Sequence, residues 1–225
     1  MPRARTAEEV QAFRDELCAV ATRRFAALGY EGVTIRALAA EIGCSPMTPY
    51  SYFKDKEAIF AAVRASAFER LADACEVAAA STTGDRERAE VLARAYLNFA
   101  VSEPDAYKIM FELSQPDEHA YPEVVEQVER CRQFMAQPTE ILVREGILEG
   151  DPKKLSQLFW AGIHGVIVLH MAGKLVPGTS LEELYAMMLT ALTRGSQGPR
   201  FHEIESTATP GHRLVSPTSS AARRR

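Results

Sequence analysis

The sequence predicts an all-helical fold, in which a small N-terminal helix-turn-helix domain precedes a larger helical domain. Apolar residues recur at three- and four-residue spacing along most of the 225 residues, which is the periodicity of amphipathic helices. We find no sustained apolar/polar alternation and no Asn-Gly or Asp-Gly hairpin pair, so no strand is predicted. Hydrophobic residues make up 47% of the chain, which is enough for a sizeable core.

Three short helices are predicted in the first 54 residues. An apolar stripe marks the first helix, and Gly29 ends it. The second helix begins at Thr34 and ends at Gly43. Ser45 and Pro46 begin the third, because a hydroxyl caps free N–H groups and a proline in the first turn has no N–H to leave unpaired.

Six further helices bring the predicted total to about nine. Asp55 caps the first of them, and Ser180 with Glu183 has the spacing of a capping box for the last. We expect Pro138 to kink or break the helix that contains it, because proline removes one backbone hydrogen bond. The other four predicted helices are 85–102, one that starts at 104 and stops before 116, 122–144 and 151–174.

Charge and motif content narrow the classes of function. Residues 1–56 carry a net charge of +1, residues 57–193 a net of −9 and residues 194–225 a net of +4, which weakly suggests a polyanionic partner for the basic ends. The four cysteines lack metal-ligand spacing, and no GxSxG, phosphate-loop or HExxH motif occurs. We therefore expect no catalytic residue, metal or cofactor. The most apolar stretch, 158–173, is too short to span a bilayer, and no secretory signal is recognised, so we expect a soluble, cytoplasmic chain.

Residues 33–53, VTIRALAAEIGCSPMTPYSYF, carry the strongest motif. Two helices separated by a tight turn at 41–44 form helix-turn-helix geometry, whose second helix enters a major groove of DNA. We expect that helix to expose Thr48, Tyr50, Ser51 and Tyr52, whose hydroxyls bond phosphates or base edges without adding like charge.

In residues 25–57 the chain resembles the TetR (tetracycline repressor) family. The resemblance rests on Phe25, Gly29-Tyr30, Gly32-Val33-Thr34-Ile35, Leu38-Ala39, Gly43-Cys44-Ser45, Tyr50-Ser51-Tyr52-Phe53 and Lys54-Asp55-Lys56-Glu57. It implies a three-helix DNA-binding domain at 1–54 and a helical effector-binding and dimerisation domain at 55–195. Residues 196–225 are rich in Ser, Thr, Pro, Gly and Arg, and we predict that they form a disordered tail.

The resemblance also implies roles for individual residues. Thr34, Tyr50 and Lys56 would hold phosphates, and Ser45, like Thr34, stands at a helix start that attracts them. The residues expected near bases are Arg36, Met47, Thr48, Ser51 and Tyr52. Pro49 departs from the family, which usually has Leu or Ile there, and we expect it to tilt or tighten the reading helix.

Two clusters are candidates for an effector pocket. Trp160-Ala161-Gly162-Ile163-His164-Gly165 resembles the Trp-His-Gly element of one TetR subgroup. Trp160 and His164 line a pocket in one interpretation and pack at a dimer seam in the other. The second cluster fits an adaptable apolar pocket or an ordinary core equally well; it comprises Tyr96, Phe99, Tyr107, Met110, Phe111 and Met135.

The resemblance implies a homodimeric repressor paired through the last two helices. Its two reading helices would lie about 34–36 Å apart on a palindromic operator in double-stranded DNA. A small apolar effector would release the DNA. An activator or an effector-less regulator of the same fold remains the alternative, and a helical enzyme is a distant third.

Overall fold

The structure is a computed structural model that describes residues 6–111 and 116–201. Over these residues it contains eight α-helices, two 3₁₀ turns and no strand. The all-helical prediction is therefore confirmed. The helices are α1 (Ala7–Leu28), α2 (Ile35–Ile42), α3 (Lys56–Ala80), α4 (Asp85–Ser102), α5 (Pro104–Met110), α6 (Pro122–Arg144), α7 (Pro152–Met171) and α8 (Leu181–Gly195).

The predicted third helix is wrong as an α-helix. Its place is taken by a 3₁₀ turn over Pro49–Ser51, so the described residues hold eight α-helices where about nine were expected. Pro49 has no N–H to donate back to Ser45, and the Ser45 carbonyl instead accepts from the N–H of Thr48 at 2.8 Å. Proline in this short segment therefore replaces α-helical hydrogen bonding with tighter turns.

Side-chain caps begin most of the helices where the sequence predicts them. The hydroxyl of Thr34 accepts from the N–H of Ala37 at the start of α2, and the carboxylate of Asp55 accepts from the N–H of Ala58 at the start of α3. Ser180 accepts from the N–H of Glu183 at the start of α8. These bonds satisfy donors that a helix N-terminus leaves unpaired.

The chain divides into two compact units, Met1–Pro138 and Thr139–Arg225. The division falls within α6, at Pro138. Helical structure continues through this proline, so Pro138 does not break the helix, and the kink stays a prediction.

Within the first unit, residues 6–56 form what we call the head. Its core contains Leu17, Ala21 and Phe25 of α1, with Leu38 of α2, each at most 1% exposed. Ile59, Phe60 and Val63 of α3, together with Ile109 of α5, complete this core. The head therefore shares one apolar core with α3 and α5.

Within the second unit, α7 and α8 pack closely at Gly162. A β-carbon at that position would lie 2.7 Å from the sulfur of Met188 and 3.0 Å from a methyl of Leu192. The helix pair leaves large apolar side chains exposed in the single chain. They are Leu158, Val168, Leu169 and Met171 of α7, Val176 of the connection and Met187 of α8.

Residues 196–201, the start of the predicted tail, form backbone hydrogen bonds with residues 146–149. Gln197 forms an isolated antiparallel bridge with Leu148, and the N–H of Gly198 donates to the carbonyl of Ile147 at 2.8 Å. Any side chain at Gly198 would collide with the backbone, since a β-carbon there would be 2.4 Å from the carbonyl oxygen of Gly146. Residues 202–225, the rest of the predicted tail, lie outside the described residues.

Helices of bilayer-spanning length and apolarity are not found in the described part of the chain. Over the same residues, no group of three or more His, Cys, Asp or Glu side chains is arranged to hold a metal ion.

Candidate nucleic-acid interface

The turn between α2 and the 3₁₀ segment has the predicted geometry. Gly43 ends α2 in the left-handed region at φ 79°, and its N–H bonds back to the carbonyls of Ala39 and Ala40. A residue with a β-carbon is disfavoured in this conformation, so glycine sets the direction in which the chain leaves α2. Thr34 and Arg36, at the other end of α2, are both exposed.

The segment after this turn presents a mixed polar and apolar surface to solvent. Met47 is 69% exposed and Tyr50 50% exposed, while Pro49 between them is buried. Ser45 and Ser51 are also exposed, and Thr48 is half-buried. The buried proline anchors a short turn that holds these side chains outward.

Tyr52 does not take the exposed place that we predict for it. Its ring stacks on Phe13 of α1, with centroids 4.2 Å apart, at the edge of the head core. The guanidinium of Arg14 donates to the carbonyl of Tyr52 at 2.7 Å and lies 4.1 Å from the ring centroid of Phe53. Sequence reasoning missed Arg14, because helical periodicity does not reveal which loop carbonyl an arginine meets.

Lys56, a predicted phosphate contact, is engaged within the protein. Its ammonium donates to the backbone carbonyl of Tyr30 at 3.1 Å and lies 4.0 Å from the centroid of the Tyr30 ring. It is also 3.7 Å from a carboxylate oxygen of Glu31. Burial, with Glu57, Glu31 and Asp55 nearby, raises the pKa of Tyr30 to about 12. Lys56 at the start of α3 is therefore surrounded by the carboxylates of Glu31, Asp55 and Glu57.

Two arginines on α1 share one carboxylate on α2. Arg24 donates to Glu41 in a short contact, and Arg23 is 3.5 Å from the same group. The hydrogen bond from Arg24 is the largest cause that lowers the pKa of Glu41, and the charges of both arginines add to it. These pairs tie the end of α1 to the end of α2.

The candidate effector cluster around Tyr96 and Tyr107 lies in the first unit. The hydroxyls of Tyr96 and Tyr107 are 3.0 Å apart, and the ring of Tyr107 meets Phe111 edge to face at 5.0 Å. Burial strongly raises the pKa of Tyr107. Tyr96, Phe99, Tyr107 and Met110 are buried, whereas Phe111 and Met135 are half-buried. The alternatives of pocket and core both remain open for this cluster.

Trp160 and His164 belong to the second unit. Their rings are 5.8 Å apart and tilted by 40°, and burial lowers the pKa of His164. Of the two glycines beside them, Gly162 faces α8 of the same chain, whereas a β-carbon at Gly165 would meet nothing within 4 Å. In the single chain, only Gly162 permits a close helix approach.

Comparison with known proteins identifies the two parts of the chain. Residues 17–63 match the family described as bacterial regulatory proteins, tetR family. Residues 89–192 match the family described as tetracyclin repressor-like, C-terminal domain. That description names no Trp-His-Gly subgroup, so this finer assignment stays a prediction.

Solved structures agree with this fold. The chain is similar to a protein of unknown function from Rhodococcus sp. RHA1, with 26% identity, coverage of 88% of this chain and 99% of that one, and a TM-score of 0.70. It is similar to a TetR family transcription regulator from Marinobacter aquaeolei VT8, with 15% identity, coverage of 86% and 100%, and a TM-score of 0.69. The transcriptional regulator FadR from Bacillus subtilis, solved in complex with stearoyl-CoA, has 16% identity, coverage of 80% and 98%, and a TM-score of 0.67.

The two family matches together span more than half of the 225 residues, with the DNA-binding domain first and the C-terminal domain behind it, and the chain belongs to the TetR family of DNA-binding transcription regulators.

Proposed function

We propose that this protein is a ligand-responsive repressor that binds a palindromic operator as a homodimer and leaves the DNA when a small apolar effector binds. The observation that carries the DNA-binding part is the outer surface of the head. Met47 and Tyr50 are exposed on a turn anchored by buried Pro49, beside the exposed Thr34 and Arg36 of α2. Large side chains stay outside a closed core there, which suits contact with a second surface.

In this proposal the chemistry of the head surface divides between phosphates and bases. Thr34 stands at the start of α2, where partial positive charge and free N–H groups favour a phosphate. Arg36 offers a guanidinium fork to a phosphate or to a guanine edge. Tyr50 offers a hydroxyl to a phosphate, and Met47 and Ser51 offer apolar contact and a hydroxyl to base edges. Ser45 and Thr48 add two further hydroxyls, and Tyr52 acts by supporting the turn.

The dimer is supported by the apolar surface that α7 and α8 leave open. Leu158, Ala161, Gly165 and Val168 are spaced three or four residues apart on α7, so they share one face of the helix. Leu158 is 47% and Val168 43% exposed in the single chain. A second copy that covers this face would remove its apolar area from water.

The proposed effector is a small apolar molecule that binds at the cluster around Tyr107. A buried aromatic and methionine cluster around Tyr107 suits an apolar ligand, and a regulator of the same fold, Bacillus subtilis FadR, was solved with stearoyl-CoA. An effector that releases DNA must bind the non-DNA conformation more tightly, by about 1.4 kcal/mol for each tenfold loss of DNA affinity. A thermal-shift screen of apolar compounds, stearoyl-CoA included, should yield a ligand that stabilises the protein and weakens its DNA complex.

DNA binding is tested by fluorescence anisotropy on duplexes from the region beside the protein's own gene. The full-length protein should prefer one of these duplexes to a shuffled duplex, and Arg36→Gln should weaken that preference. Arg132→Gln, at an exposed arginine of α6, is the matched control and should leave it unchanged. Equal affinity for the native and shuffled duplexes would contradict the proposed function.

A further inference from the structure

The basic side chains of the head are largely held by the head itself. Glu41 pairs with Arg23 and Arg24, and Glu31 pairs with Lys56. Both carboxylates belong to the short stretch between the end of α1 and the end of α2. Each of them therefore sits beside cations that a nearby phosphate would also attract.

Lys56 is the most tightly enclosed of these cations. Its side chain is 24% exposed, and it is held by one carbonyl, one ring face and one carboxylate. The carboxylate belongs to Glu31, whose own side chain is 83% exposed. Glu31 therefore reaches out over solvent beside the cation and opposes any phosphate that approaches Lys56.

Arg36 shows the contrasting arrangement. It is exposed on α2, and in the part of the chain that the structure describes it forms no ion pair and no side-chain hydrogen bond. The first turn of α2 also contains no acidic residue, whereas the first turn of α3 contains Glu57. Arg36 and the 91% exposed Lys54 are thus the cations most open to DNA, whereas Lys56, Arg23 and Arg24 are each paired with a carboxylate, although the two arginines remain 59% and 44% exposed.

We infer that Glu31 and Glu41 are specificity-determining residues, which lower the attraction of the head for the DNA backbone by holding Lys56, Arg23 and Arg24 in internal ion pairs. This inference rests on the proposed function, because it concerns how the same surface binds DNA. Binding to any sequence is driven by cations that displace condensed counterions from phosphates. A head whose cations are paired with its own carboxylates binds random DNA weakly, and its affinity for DNA depends more on contacts with bases.

The experiment compares three variants that each remove one negative charge from the head: Glu31→Gln, Glu41→Gln and, as the matched control, Glu16→Gln. Glu16 is exposed on α1, and no ion pair of it is found within residues 6–111 and 116–201. Anisotropy titrations against the preferred duplex and a shuffled duplex, over a series of salt concentrations, give the affinity and its salt dependence. Circular dichroism confirms that each variant is folded.

Glu31→Gln should tighten binding to the shuffled duplex and steepen its dependence on salt. One newly available cation on each protomer corresponds to a change of about 1.8 in the slope of log affinity against log salt. When the salt concentration is reduced fourfold, the affinity of the variant should therefore increase roughly tenfold more than that of the unmodified protein. Glu41→Gln should act in the same direction, and the ratio of preferred to shuffled affinity should fall for both variants.

A gain in binding cannot arise from a variant that fails to fold, which keeps the test decisive. Adding Lys56→Gln to Glu31→Gln should cancel the gain. If Glu31→Gln and Glu41→Gln match Glu16→Gln in both affinity and slope, the inference is overturned while the proposed function stands. If the unmodified protein shows no preference between the duplexes, the proposed function itself fails.

Discussion

The head packs an apolar core and exposes Leu28, Met47 and Tyr50, whereas the α7–α8 pair exposes five large apolar side chains. The head encloses Leu17, Phe25 and Leu38 almost completely and leaves hydroxyls and Arg36 outside. The α7–α8 pair leaves Leu158, Val168 and other large apolar side chains exposed in the single chain. The apolar side chains of the head are thus buried in a core shared with α3 and α5, whereas the exposed apolar side chains of the helix pair favour contact with a second apolar surface.

The largest expected effect is the loss of dimerisation when a charge is placed on the exposed face of α7. Val168→Asp should dissociate the proposed dimer, because each interface would bury an unpaired carboxylate. A cost of about 3 kcal/mol or more corresponds to at least a hundredfold weaker association. Sedimentation velocity over a range of concentrations measures it.

The control for Val168→Asp makes the same change at an exposed valine of the first unit. Val101 is 51% exposed on α4, and Val101→Asp should leave the sedimentation coefficient unchanged. Operator affinity should fall with Val168→Asp and persist with Val101→Asp, because two linked heads bind two half-sites more tightly than one. A Val168→Asp protein that stays dimeric would show that this face is not the seam.

The second prediction compares the effect on stability of adding a side chain at each of the two glycines of α7, Gly162 and Gly165. Gly162→Val should lower the free energy of unfolding by about 2 kcal/mol, since its side chain would press against Met188 and Leu192. Gly165→Val, whose β-carbon would meet nothing within 4 Å, should be neutral or slightly stabilising, because valine has a higher helix propensity than glycine. Both are made in the Val168→Asp background, so that dimerisation does not contribute to urea unfolding. Equal costs at the two positions would contradict the described packing of α7 on α8.

The third prediction concerns the buried hydroxyl pair in the candidate effector cluster. Tyr107→Phe should destabilise the protein by about 1 kcal/mol, because it removes a buried hydrogen bond to the hydroxyl of Tyr96. Tyr121→Phe is the matched control at a half-exposed tyrosine, whose hydroxyl is 3.5 Å from Glu57. Urea unfolding of both variants measures the difference, and a Tyr107→Phe protein as stable as the Tyr121→Phe protein would overturn the assignment.

The smallest effect is a pH dependence in the head. The pKa of Glu41 is lowered in the folded protein, chiefly by the hydrogen bond from Arg24. The stability from this pair is therefore present above the ordinary pKa of 4.5 and is lost as pH falls through the lowered value. The melting temperature of the unmodified protein should exceed that of Glu41→Gln near neutral pH, and the two should converge in acid. A constant difference across the whole range would show that the pair does not stabilise the head.

Helical periodicity and caps predicted most of the fold. Thr34, Asp55 and Ser180 cap the helices that they were expected to begin, and Gly43 makes the expected turn. The segment around Pro49 was less predictable. Pro49 has no N–H to donate back to Ser45, so 3₁₀ hydrogen bonds form in this short segment, and periodicity does not show which of the two patterns will result.

The side chains of the head surface were predictable in kind and less so in direction. Tyr50 and Ser51 are exposed as expected, whereas Thr48 is half-buried. Tyr52 turns inward onto Phe13, and Lys56 is enclosed by Tyr30 and Glu31, because long-range contacts with other helices decide which way a loop side chain points. Composition likewise could not separate core from pocket around Tyr107, since both are built from the same residue types.

The most direct measurement of the account as a whole is a hydroxyl-radical footprint of the full-length protein on the DNA beside its own gene. The account predicts two discrete protected patches, about one helical turn apart and related by an inverted repeat, which shrink or disappear for Arg36→Gln. Uniform protection along the DNA, or a single patch with no symmetry, would contradict a paired head that reads two half-sites.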